Sequence, residues 1–281
     1  MLDTYCIYNG HVISLYEPAI SFTNRAFRYG DSLFESIRFT NGKIMFLADH
    51  VKRIKLSMTI LRMNVPAEFT SDNIEHLILN LIEKNNLKKE ARIRLTVFRN
   101  EGGFYTPDTN DISFLIESEA LETPRYTLNQ KGLWVDIYAE IKKQINKISN
   151  LKTGSALIYV MAGITKKSLK LDDCLLINEN GNIIESINSN IFVVKNGTLY
   201  TSPITDGCID GVMRKQILVI AAQNKILAFE QSLTVHTLTD GDEVFLTNAI
   251  KGIQWVGQFK NKFYTNQKSV FFTEKLNELA Q

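Results

Sequence analysis

The N-terminal half of the chain alternates short apolar runs with turn residues, a pattern that predicts a sheet with helices packed against it. Two pairs of predicted strands each flank an Asn-Gly dipeptide, which is typical of a hairpin turn. These pairs are residues 5–8 with 11–14, and residues 36–39 with 43–46. Apolar residues recur at helical spacing over residues 50–62 and 74–84. Two further β-rich runs, 92–98 and 112–117, enclose a polar loop at residues 99–110.

The C-terminal half follows a polar, turn-rich stretch and carries its own set of predicted elements. Helices are predicted over residues 155–168 and 212–224. Strands are predicted at residues 133–138, 174–177, 183–185, 191–194 and 243–246. We therefore predict an α+β protein of two domains: a smaller N-terminal α+β domain over residues 1–122, a linker over 123–132 and a larger C-terminal domain over 133–281.

Composition and charge exclude several classes of function. The 281 residues carry a formal net charge of +2, with 22% charged residues, so nothing favours nucleic acid or a membrane surface as a partner. No apolar run is long enough to span a bilayer, and Asp3 stands where a signal peptide would carry positive charge. The three cysteines, Cys6, Cys174 and Cys208, are scattered and form no CxxC pair, so neither a disulfide framework nor a metal site is predicted. We expect a cytoplasmic protein.

Lys152 and Glu185 are the candidate chemical groups of the chain. Lys152 begins an apolar, helix-compatible run, and Glu185 follows the Asn180-Gly181 turn. A lysine amine can form a Schiff base with an aldehyde cofactor, and a carboxylate can keep a pyridine nitrogen protonated so that the ring withdraws electrons. The pair suggests pyridoxal 5′-phosphate (PLP). For either residue alone, a surface lysine or an exposed acid at a strand end is the alternative interpretation.

Four short motifs, in the same order along the chain, support the PLP interpretation. They are Asn150-Leu-Lys152-Thr-Gly, Glu185-Ser-Ile-Asn-Ser-Asn190-Ile-Phe, Gly211-Val-Met-Arg214 and Leu246-Thr-Asn-Ala-Ile250. Together they resemble the motif series of the class IV (fold-type IV) PLP enzymes, a family that includes branched-chain and D-amino-acid transaminases and 4-amino-4-deoxychorismate lyase. The resemblance implies a C-terminal domain with a β-barrel-like core flanked by helices, PLP as the cofactor, a small amino substrate and a homodimer.

By the same resemblance, Lys152 is the catalytic residue, and a set of other residues holds the cofactor. Arg53, in a His50-x-x-Arg53 motif, is expected to bind the phosphate, because a guanidinium presents forked donors to a dianion. Val212 and Met213 are expected to offer backbone N–H groups at a helix N-terminus. The remaining cofactor residues implied by the family are Glu185, Asn190, Thr247 and Asn248.

The substrate side of the site is implied by the motif that starts at Arg28-Tyr29-Gly30-Asp31, which resembles the N-terminal signature of the same enzymes. The expected substrate residues are Tyr29, Arg38, Arg94, Tyr105 and Asn248. Phe104 stands where some lyases of the family carry an arginine that meets the substrate's carboxylates. An unpaired carboxylate in a closed site is costly, so another cation is needed there. The alternatives left open for that charge are Arg38, Arg92, Arg94 and Arg99.

Two features bear on which member of the family the chain resembles. Branched-chain transaminases place a tyrosine five residues after the lysine, where this chain has Leu157, and Thr247-Asn248 resembles the corresponding loop of aminodeoxychorismate lyases. These features favour a lyase that converts 4-amino-4-deoxychorismate to 4-aminobenzoate and pyruvate through a lysine Schiff base. The alternative is a class IV aminotransferase acting on branched-chain L-amino acids or D-amino acids with 2-oxoglutarate. A third possibility is a PLP-binding or structural protein without turnover.

Overall fold

The computed structural model describes residues 4–17, 20–87, 89–123 and 125–280 of the chain. Two of the sequence predictions involve residues outside this range. Asp3 belongs to residues 1–3, and Pro124 belongs to the predicted linker. The chain divides into two compact units. Unit 1 holds the described residues up to 123 together with 151–155 and 280, and unit 2 holds residues 125–150 and 156–279.

Unit 1 contains a six-stranded sheet and helices. Its strands are β1 (Tyr5–Tyr8), β2 (His11–Ser14), β3 (Ser32–Thr40), β4 (Lys43–Ile44), β5 (Glu90–Arg99) and β6 (Ile112–Ala120). Its helices are α1 (Arg25–Tyr29), α2 (Leu47–Ile60) and α3 (Ser71–Lys84). The strands follow the spatial order β2-β1-β6-β5-β3-β4, and neighbouring strands are antiparallel. Both predicted hairpins are confirmed, but β4 is shorter than predicted because Phe46, with φ of 55°, leads the chain into α2.

The two faces of the unit 1 sheet differ in chemistry because successive side chains of a strand point to opposite sides. β3 and β5 pair along their length, from Ser32 opposite Phe98 to Thr40 opposite Glu90. One face packs on α2 and α3 as the apolar core. Its buried apolar residues from β3 and β5 are Leu33, Ile37, Phe39, Ala91, Ile93, Leu95 and Val97. The other face carries the predicted site residues of these strands, Arg38 and Arg94.

Unit 2 contains more strands than were predicted. They are β7 (Leu133–Lys143), β8 (Asp173–Asn178), β9 (Ile183–Ser186), β10 (Asn190–Lys195), β11 (Thr198–Thr201), β12 (Ala228–Glu230), β13 (Glu243–Asn248), β14 (Gly252–Phe259) and β15 (Lys262–Phe263). Its helices are α4 (Leu157–Ser168), α5 (Val212–Gln223), α6 (Val235–Asp240) and α7 (Gln267–Leu279). Each element predicted for this half of the chain is present, and β11, β12, β14, β15, α6 and α7 are additional.

Six strands of unit 2 close into a barrel. Pairing runs in the order β7, β8, β9, β10, β13 and β14, and β14 pairs with β7 to complete the ring. The β7–β8 and β14–β7 pairs are parallel, and the other pairs are antiparallel. An apolar cluster of buried residues, which includes Val135, Leu175, Ile191, Val244 and Val256, joins these strands. The predicted β-barrel-like core flanked by helices is confirmed.

Helix α7, which was not predicted, is capped by a residue far away in sequence. The buried Glu243 carboxylate of β13 accepts hydrogen bonds from Lys268 N at 2.9 Å and from Ser269 N at 3.3 Å. Negative charge at a helix N-terminus is favourable because the first backbone N–H groups there have no acceptor within the helix. Local sequence patterns do not register a cap that lies 25 residues away.

Within the described part of the chain, no helix combines the length and apolar character needed to cross a membrane. The same residues include no group of three or more His, Cys, Asp or Glu side chains arranged to hold a metal ion. The three cysteines are buried and free. The expected cytoplasmic location stays a prediction.

Gly132 and Gly257 bring two backbone segments of the barrel into contact, which generates a prediction about stability. A Cβ atom at Gly132 would lie 2.4 Å from Gly257 Cα and 2.6 Å from the ring of Trp255. Gly132→Ala should lower the free energy of unfolding by roughly 1–3 kcal/mol, because the backbone of β14 cannot move aside without strain. Urea unfolding measures the change.

The matched control is Gly163→Ala in α4, where an added Cβ atom meets nothing within 4 Å. It should raise the free energy of unfolding by roughly 0.5–1 kcal/mol, because alanine loses less backbone entropy than glycine when a helix forms. Equal stability of Gly132→Ala and the wild type would contradict the close approach.

Candidate active site

Lys152 lies in a short extended segment of unit 1, ahead of the helix predicted over residues 155–168. Its backbone O accepts a hydrogen bond from Phe34 N at 2.9 Å, and Gly154 N donates to Ser32 O at 2.8 Å. The intervening Thr153 forms an antiparallel bridge with β3. Helix α4 begins only at Leu157. The backbone around Lys152 is therefore held by β3, which fixes the point from which the lysine side chain extends.

The ring of Phe34 contacts two cationic side chains. Lys152 Nζ lies 4.2 Å from the ring centroid, and Arg94 Cζ lies 4.1 Å from it. Burial lowers the pKa of the Arg94 guanidinium, which nevertheless stays charged at neutral pH. Lys152 is half-buried. Unit 1 thus places an amine and a guanidinium on one partly shielded aromatic ring.

Arg38 and Arg92, two of the arginines left open by the sequence, have other partners. Arg38 is only 2% exposed, and it donates to Glu90 Oε2 at 3.1 Å and to the backbone O of Thr123. Arg92 forms a surface ion pair with Glu119 at 3.0 Å. The guanidinium of Arg38 therefore serves first to neutralise a buried carboxylate. Its expected role toward a substrate stays a prediction.

Arg99 shares a carboxylate with Arg25, a residue that the sequence analysis did not single out. Asp31 Oδ2 accepts hydrogen bonds from Nε of both arginines, each at 2.9 Å. Arg25 also donates to the backbone O atoms of Gly102 and Phe104, at 2.9 and 2.7 Å. Both arginines are buried. They hold the polar loop that follows β5 in place, and the single negative charge of Asp31 is shared between the two guanidinium groups.

That loop places Tyr105 beside Tyr29, and both are expected substrate residues. Their ring centroids are 5.6 Å apart, and Tyr105 is 91% exposed. The guanidinium of Arg25 lies over the Tyr29 ring at 4.9 Å. Unit 1 thus brings two predicted substrate residues together, although one belongs to α1 and the other to a loop far along the chain.

Arg53 lies on α2 and contacts a buried carboxylate on the core face of the sheet. Its guanidinium donates to both oxygens of Glu35, with 2.7 Å between Nε and Oε1, and His50 Nδ1 lies 2.7 Å from Oε2. Burial disfavours ionisation of Glu35, but the charge of Arg53 and the hydrogen bonds outweigh it and lower the pKa of Glu35 to about 2. Burial also lowers the pKa of His50. Glu35 therefore orients the guanidinium, and the expected phosphate role of Arg53 stays a prediction.

Three predicted cofactor residues of unit 2 lie in one row across neighbouring strands. Asn190 of β10 is directly opposite Glu185 of β9 and directly opposite Thr247 of β13. Residues that oppose each other in a sheet place their side chains on the same face. The three side chains are buried, with 5% exposure or less. Strand register therefore assembles residues that lie far apart in the sequence.

The Glu185 carboxylate is surrounded by hydrogen-bond donors. Oε1 accepts from Lys143 Nζ at 2.6 Å and from Tyr159 OH at 2.8 Å, and Oε2 accepts from Ile209 N at 2.8 Å. Asn190 Nδ2 donates to Ile209 O at 2.8 Å, so two predicted cofactor residues hold the same residue through its backbone N and O. The sequence analysis missed Lys143 and Tyr159, because no local motif links them to Glu185.

The N-terminus of α5 lies beside this row of residues. A Cβ atom at Gly211 would lie 1.9 Å from Asn190 Oδ1, and Gly211 offers no side chain to cap the helix. The first backbone N–H groups of a helix, here from Val212 and Met213, have no acceptor within the helix. Thr247 Oγ1 is buried and has no hydrogen-bond partner among the described residues. Backbone amides at a helix N-terminus and a buried hydroxyl suit a phosphate group.

Asn248, expected to contact both cofactor and substrate, stabilises its own turn. Its Oδ1 accepts hydrogen bonds from Ile250 N at 3.1 Å and Lys251 N at 2.8 Å, and its Nδ2 donates to Ser189 Oγ at 2.9 Å. Both ends of the amide are therefore engaged within unit 2. The expected roles of Asn248 toward cofactor and substrate stay predictions.

Comparison with known proteins identifies the family. Residues 32–259 match the model of the class IV amino-transferase family, and the chain therefore belongs to that family. Enzymes of this class depend on PLP, and so does this chain. Its residues fit the cofactor: Lys152 offers an amine in unit 1, and unit 2 offers a buried carboxylate, a helix N-terminus and the Thr247 hydroxyl.

Relatives of the chain are named as branched-chain-amino-acid or D-alanine aminotransferases. A provisionally named branched-chain-amino-acid aminotransferase of Methanocaldococcus jannaschii is 27% identical over 279 residues, which cover 96% of this chain and 93% of the relative. A D-alanine aminotransferase of Bacillus licheniformis is 24% identical over 249 residues, which cover 86% of this chain and 83% of the relative.

Solved structures share the fold over nearly the whole chain. The branched-chain amino acid aminotransferase of Escherichia coli superposes with a TM-score of 0.89 at 23% identity, covering 99% of this chain and 95% of that one. A Legionella pneumophila protein provisionally named 4-amino-4-deoxychorismate lyase superposes with a TM-score of 0.85 at 24% identity, covering 95% of this chain and 97% of that one. The predicted fold-type IV architecture is confirmed.

The Glu35 cluster generates a prediction about pH-dependent stability. Because the pKa of Glu35 is lowered from 4.5 to about 2, its stabilising effect is complete above pH 4.5 and is lost as the pH falls toward 2. Glu35→Gln removes the carboxylate that pairs with the guanidinium of Arg53, whose side chain is only 12% exposed. The substitution should therefore lower the free energy of unfolding at pH 7 by on the order of 3 kcal/mol. Urea unfolding at several pH values measures both effects.

The difference between wild type and Glu35→Gln should shrink as the pH falls from 4.5 toward 2, because Glu35 of the unfolded wild type takes up a proton in that range while the folded carboxyl stays ionised until about pH 2. Glu119→Gln, which removes one partner of the surface pair with Arg92, is the matched control and should change stability by less than about 1 kcal/mol. A difference that stays constant from pH 7 down to pH 2 would show that the Glu35 charge does not stabilise the fold.

Proposed function

We propose that the chain is an amino-acid aminotransferase that transfers the amino group of an apolar amino acid, foremost a branched-chain L-amino acid, to 2-oxoglutarate. This proposal takes the place of the lyase that the sequence favoured. The observation that carries it is the Phe34 ring, which contacts both Lys152 Nζ and the Arg94 guanidinium. The names of the relatives, which include branched-chain and D-alanine aminotransferases, support the same reaction type.

The positively charged side chains near Lys152 limit how many carboxylates of a substrate can be paired. An apolar amino acid presents one carboxylate, which Arg94 can pair with, whereas 4-amino-4-deoxychorismate presents two. Arg38 pairs with the buried Glu90, Arg99 and Arg25 share Asp31, and Phe104 contributes no charge. An unpaired carboxylate in a closed site costs several kcal/mol, and 2-oxoglutarate, like 4-amino-4-deoxychorismate, presents two carboxylates. Either reaction therefore needs a second cation besides Arg94, and the names of the relatives favour the aminotransferase.

The residues divide the work of the reaction between them. PLP, when bound, supplies an aldehyde that combines with amino groups and a pyridine ring that accepts electrons. Lys152 supplies the amine that holds the aldehyde and moves a proton at the amine-bearing carbon of the substrate. Glu185 keeps the pyridine nitrogen protonated. The amides of Val212 and Met213 and the Thr247 hydroxyl would hold the phosphate within unit 2, and Arg53 would supply a guanidinium for it from unit 1.

A lyase is the second candidate, favoured by Thr247-Asn248 and by the missing tyrosine at Leu157. The structure weakens the first of these arguments but not the second. The Asn248 side chain is engaged within its own turn and by Ser189. Leu157 is 75% exposed, while Tyr159, two positions later, places its hydroxyl on Glu185. Tyr159 therefore bonds the carboxylate expected at the pyridine nitrogen, whereas the family tyrosine is expected near the phenolic oxygen of the cofactor. Leu157 remains a departure from the branched-chain pattern.

The reaction is tested by supplying PLP-loaded protein with L-leucine or D-alanine, each with 2-oxoglutarate, and separately with 4-amino-4-deoxychorismate. We expect glutamate and the keto acid of leucine to form, and no 4-aminobenzoate. Arg94→Met should lower kcat/KM for L-leucine by roughly 10- to 100-fold, the effect of one charged hydrogen bond, mainly through KM. Arg92→Met, on the same strand face but in a surface pair, is the matched control and should change kcat/KM by less than about threefold.

Other outcomes of this assay have distinct meanings. Release of 4-aminobenzoate without transamination would restore the lyase, and conversion of D-alanine alone would keep the reaction type but reverse the stereochemistry. Borohydride reduction followed by peptide mass spectrometry should place a PLP adduct on Lys152. An adduct on another lysine, such as Lys143, would contradict the role assigned to Lys152.

We also propose that the chain forms a homodimer through α4. This helix carries apolar residues at helical spacing that are exposed to solvent: Leu157, Val160, Met161 and Ile164, with exposed fractions of 75, 54, 38 and 57%. A helix in a monomeric protein normally turns such a stripe toward the core. A second copy of the chain offers the same stripe, and a twofold axis makes the contact self-complementary.

Val160→Glu combined with Ile164→Glu should convert the dimer to a monomer at micromolar concentration, because the interface would bury unpaired charges. Sedimentation velocity measures the change. Val219→Glu, which charges a 40%-exposed apolar residue of α5, is the control and should leave the dimer intact. A wild type that sediments as a fully active monomer would disprove the dimer.

A further inference from the structure

Lys143 and Tyr159 have no role in the proposed reaction, yet they enclose the Glu185 carboxylate in unit 2. Lys143 Nζ donates to Glu185 Oε1 at 2.6 Å and to Tyr159 OH at 2.8 Å, and Tyr159 OH donates to the same Oε1 at 2.8 Å. The side chains of Lys143 and Glu185 are only 11% and 3% exposed. The three side chains therefore hydrogen-bond to one another in a triangle that is largely shielded from solvent.

We propose that Lys143 and Tyr159 are positioning residues that keep Glu185 ionised and leave Oε2 as the atom that accepts the N–H of the cofactor's pyridine ring. The proposal rests on the role of Glu185 in the proposed function. Each carboxylate oxygen offers about two lone-pair sites. Lys143 and Tyr159 fill both sites of Oε1, and Ile209 N fills one site of Oε2. One acceptor site remains, and it is on Oε2.

The Lys143 ammonium also decides where a shared proton resides. A proton between Glu185 and a pyridine nitrogen can belong to either group. Lys143 Nζ contacts Oε1 directly, so it stabilises negative charge on the carboxylate. A nitrogen bound to Oε2 lies farther from the ammonium and is repelled less than the carboxylate is attracted. The balance places the proton on the pyridine nitrogen, where it strengthens the ring as an electron acceptor.

Tyr159 supports the same balance as a neutral donor. Burial, and then the negative charge of Glu185, raise the pKa of its hydroxyl well above the usual value, so the hydroxyl keeps its proton and donates it to Oε1. Loss of this hydroxyl removes one neutral hydrogen bond, whereas loss of Lys143 removes a charge as well. The effect of Tyr159 on the shared proton is therefore the smaller of the two.

The experiment is nitrogen NMR of the holoenzyme loaded with PLP that carries 15N in its pyridine ring. Wild type should show the chemical shift of a protonated nitrogen at pH 7. Lys143→Met should move the signal toward the unprotonated position, and Lys143→Arg should keep it protonated. Lys142→Met removes the neighbouring, exposed lysine of β7 and should leave the signal unchanged.

A second pair of variants decides the question even if Lys143→Met fails to fold. Tyr159→Phe should move the 15N signal in the same direction as Lys143→Met but by less. Tyr138→Phe is its control, because the buried Tyr138 hydroxyl has no hydrogen-bond partner among the described residues. A signal that is identical in wild type, Tyr159→Phe and any folded Lys143→Met protein overturns the proposal.

Failure of this inference is distinct from failure of the proposed function. A wild type that binds no PLP, or that binds it with an unprotonated pyridine nitrogen, contradicts the role of Glu185 itself. A wild type that transaminates with a protonated nitrogen, alongside unchanged Lys143 and Tyr159 variants, contradicts only the positioning role.

Discussion

A carboxylate that leaves water must find enough hydrogen-bond donors, and this requirement organises both units of the protein. Glu35 lies on the core face of the unit 1 sheet and is matched by a guanidinium and an imidazole from α2. Glu185 lies in the barrel of unit 2 and is matched by Lys143, Tyr159 and a backbone amide. Without these donors, burial would favour the uncharged acid. Because the donors come from different elements, each cluster also fixes how those elements are placed within their unit.

Strand register determines which site residues of unit 2 lie next to one another. Glu185, Asn190 and Thr247 are useful together only because β9, β10 and β13 pair so that these residues oppose one another. A slip of one residue would turn a strand's side chains to the opposite face. Closure of the six-stranded ring makes such a slip costly, since it would disturb every pairing at once. The Lys152 segment depends on register in the same way, through its backbone hydrogen bonds with β3.

The arginines of unit 1 show that one residue type takes different roles according to its surroundings. Arg38 pairs with the buried Glu90 and Arg99 shares the partly buried Asp31 with Arg25, whereas Arg94 lies on the aromatic ring that also contacts Lys152. Their positions along the chain do not distinguish them, because all three lie on or beside strands with similar patterns. The difference arises from the acids and rings that the folded sheet brings to each guanidinium, and it leaves Arg94 as the guanidinium that shares an aromatic ring with Lys152.

The sequence by itself determined the features that depend on near neighbours. The Asn9-Gly10 hairpin and the helices α2 and α5 follow from turn chemistry and periodicity. The ordered motifs around Lys152 and Glu185 determined the family and its cofactor, because spacing along the chain survives where overall identity is low. Only the tertiary structure decided the rest. It showed Lys152 in an extended segment, since that conformation comes from hydrogen bonds with distant β3. It also revealed Lys143 and Tyr159, which lie 42 and 26 residues from Glu185. Lys143 meets Glu185 because β7 and β9 both pair with β8, and Tyr159 meets it from α4.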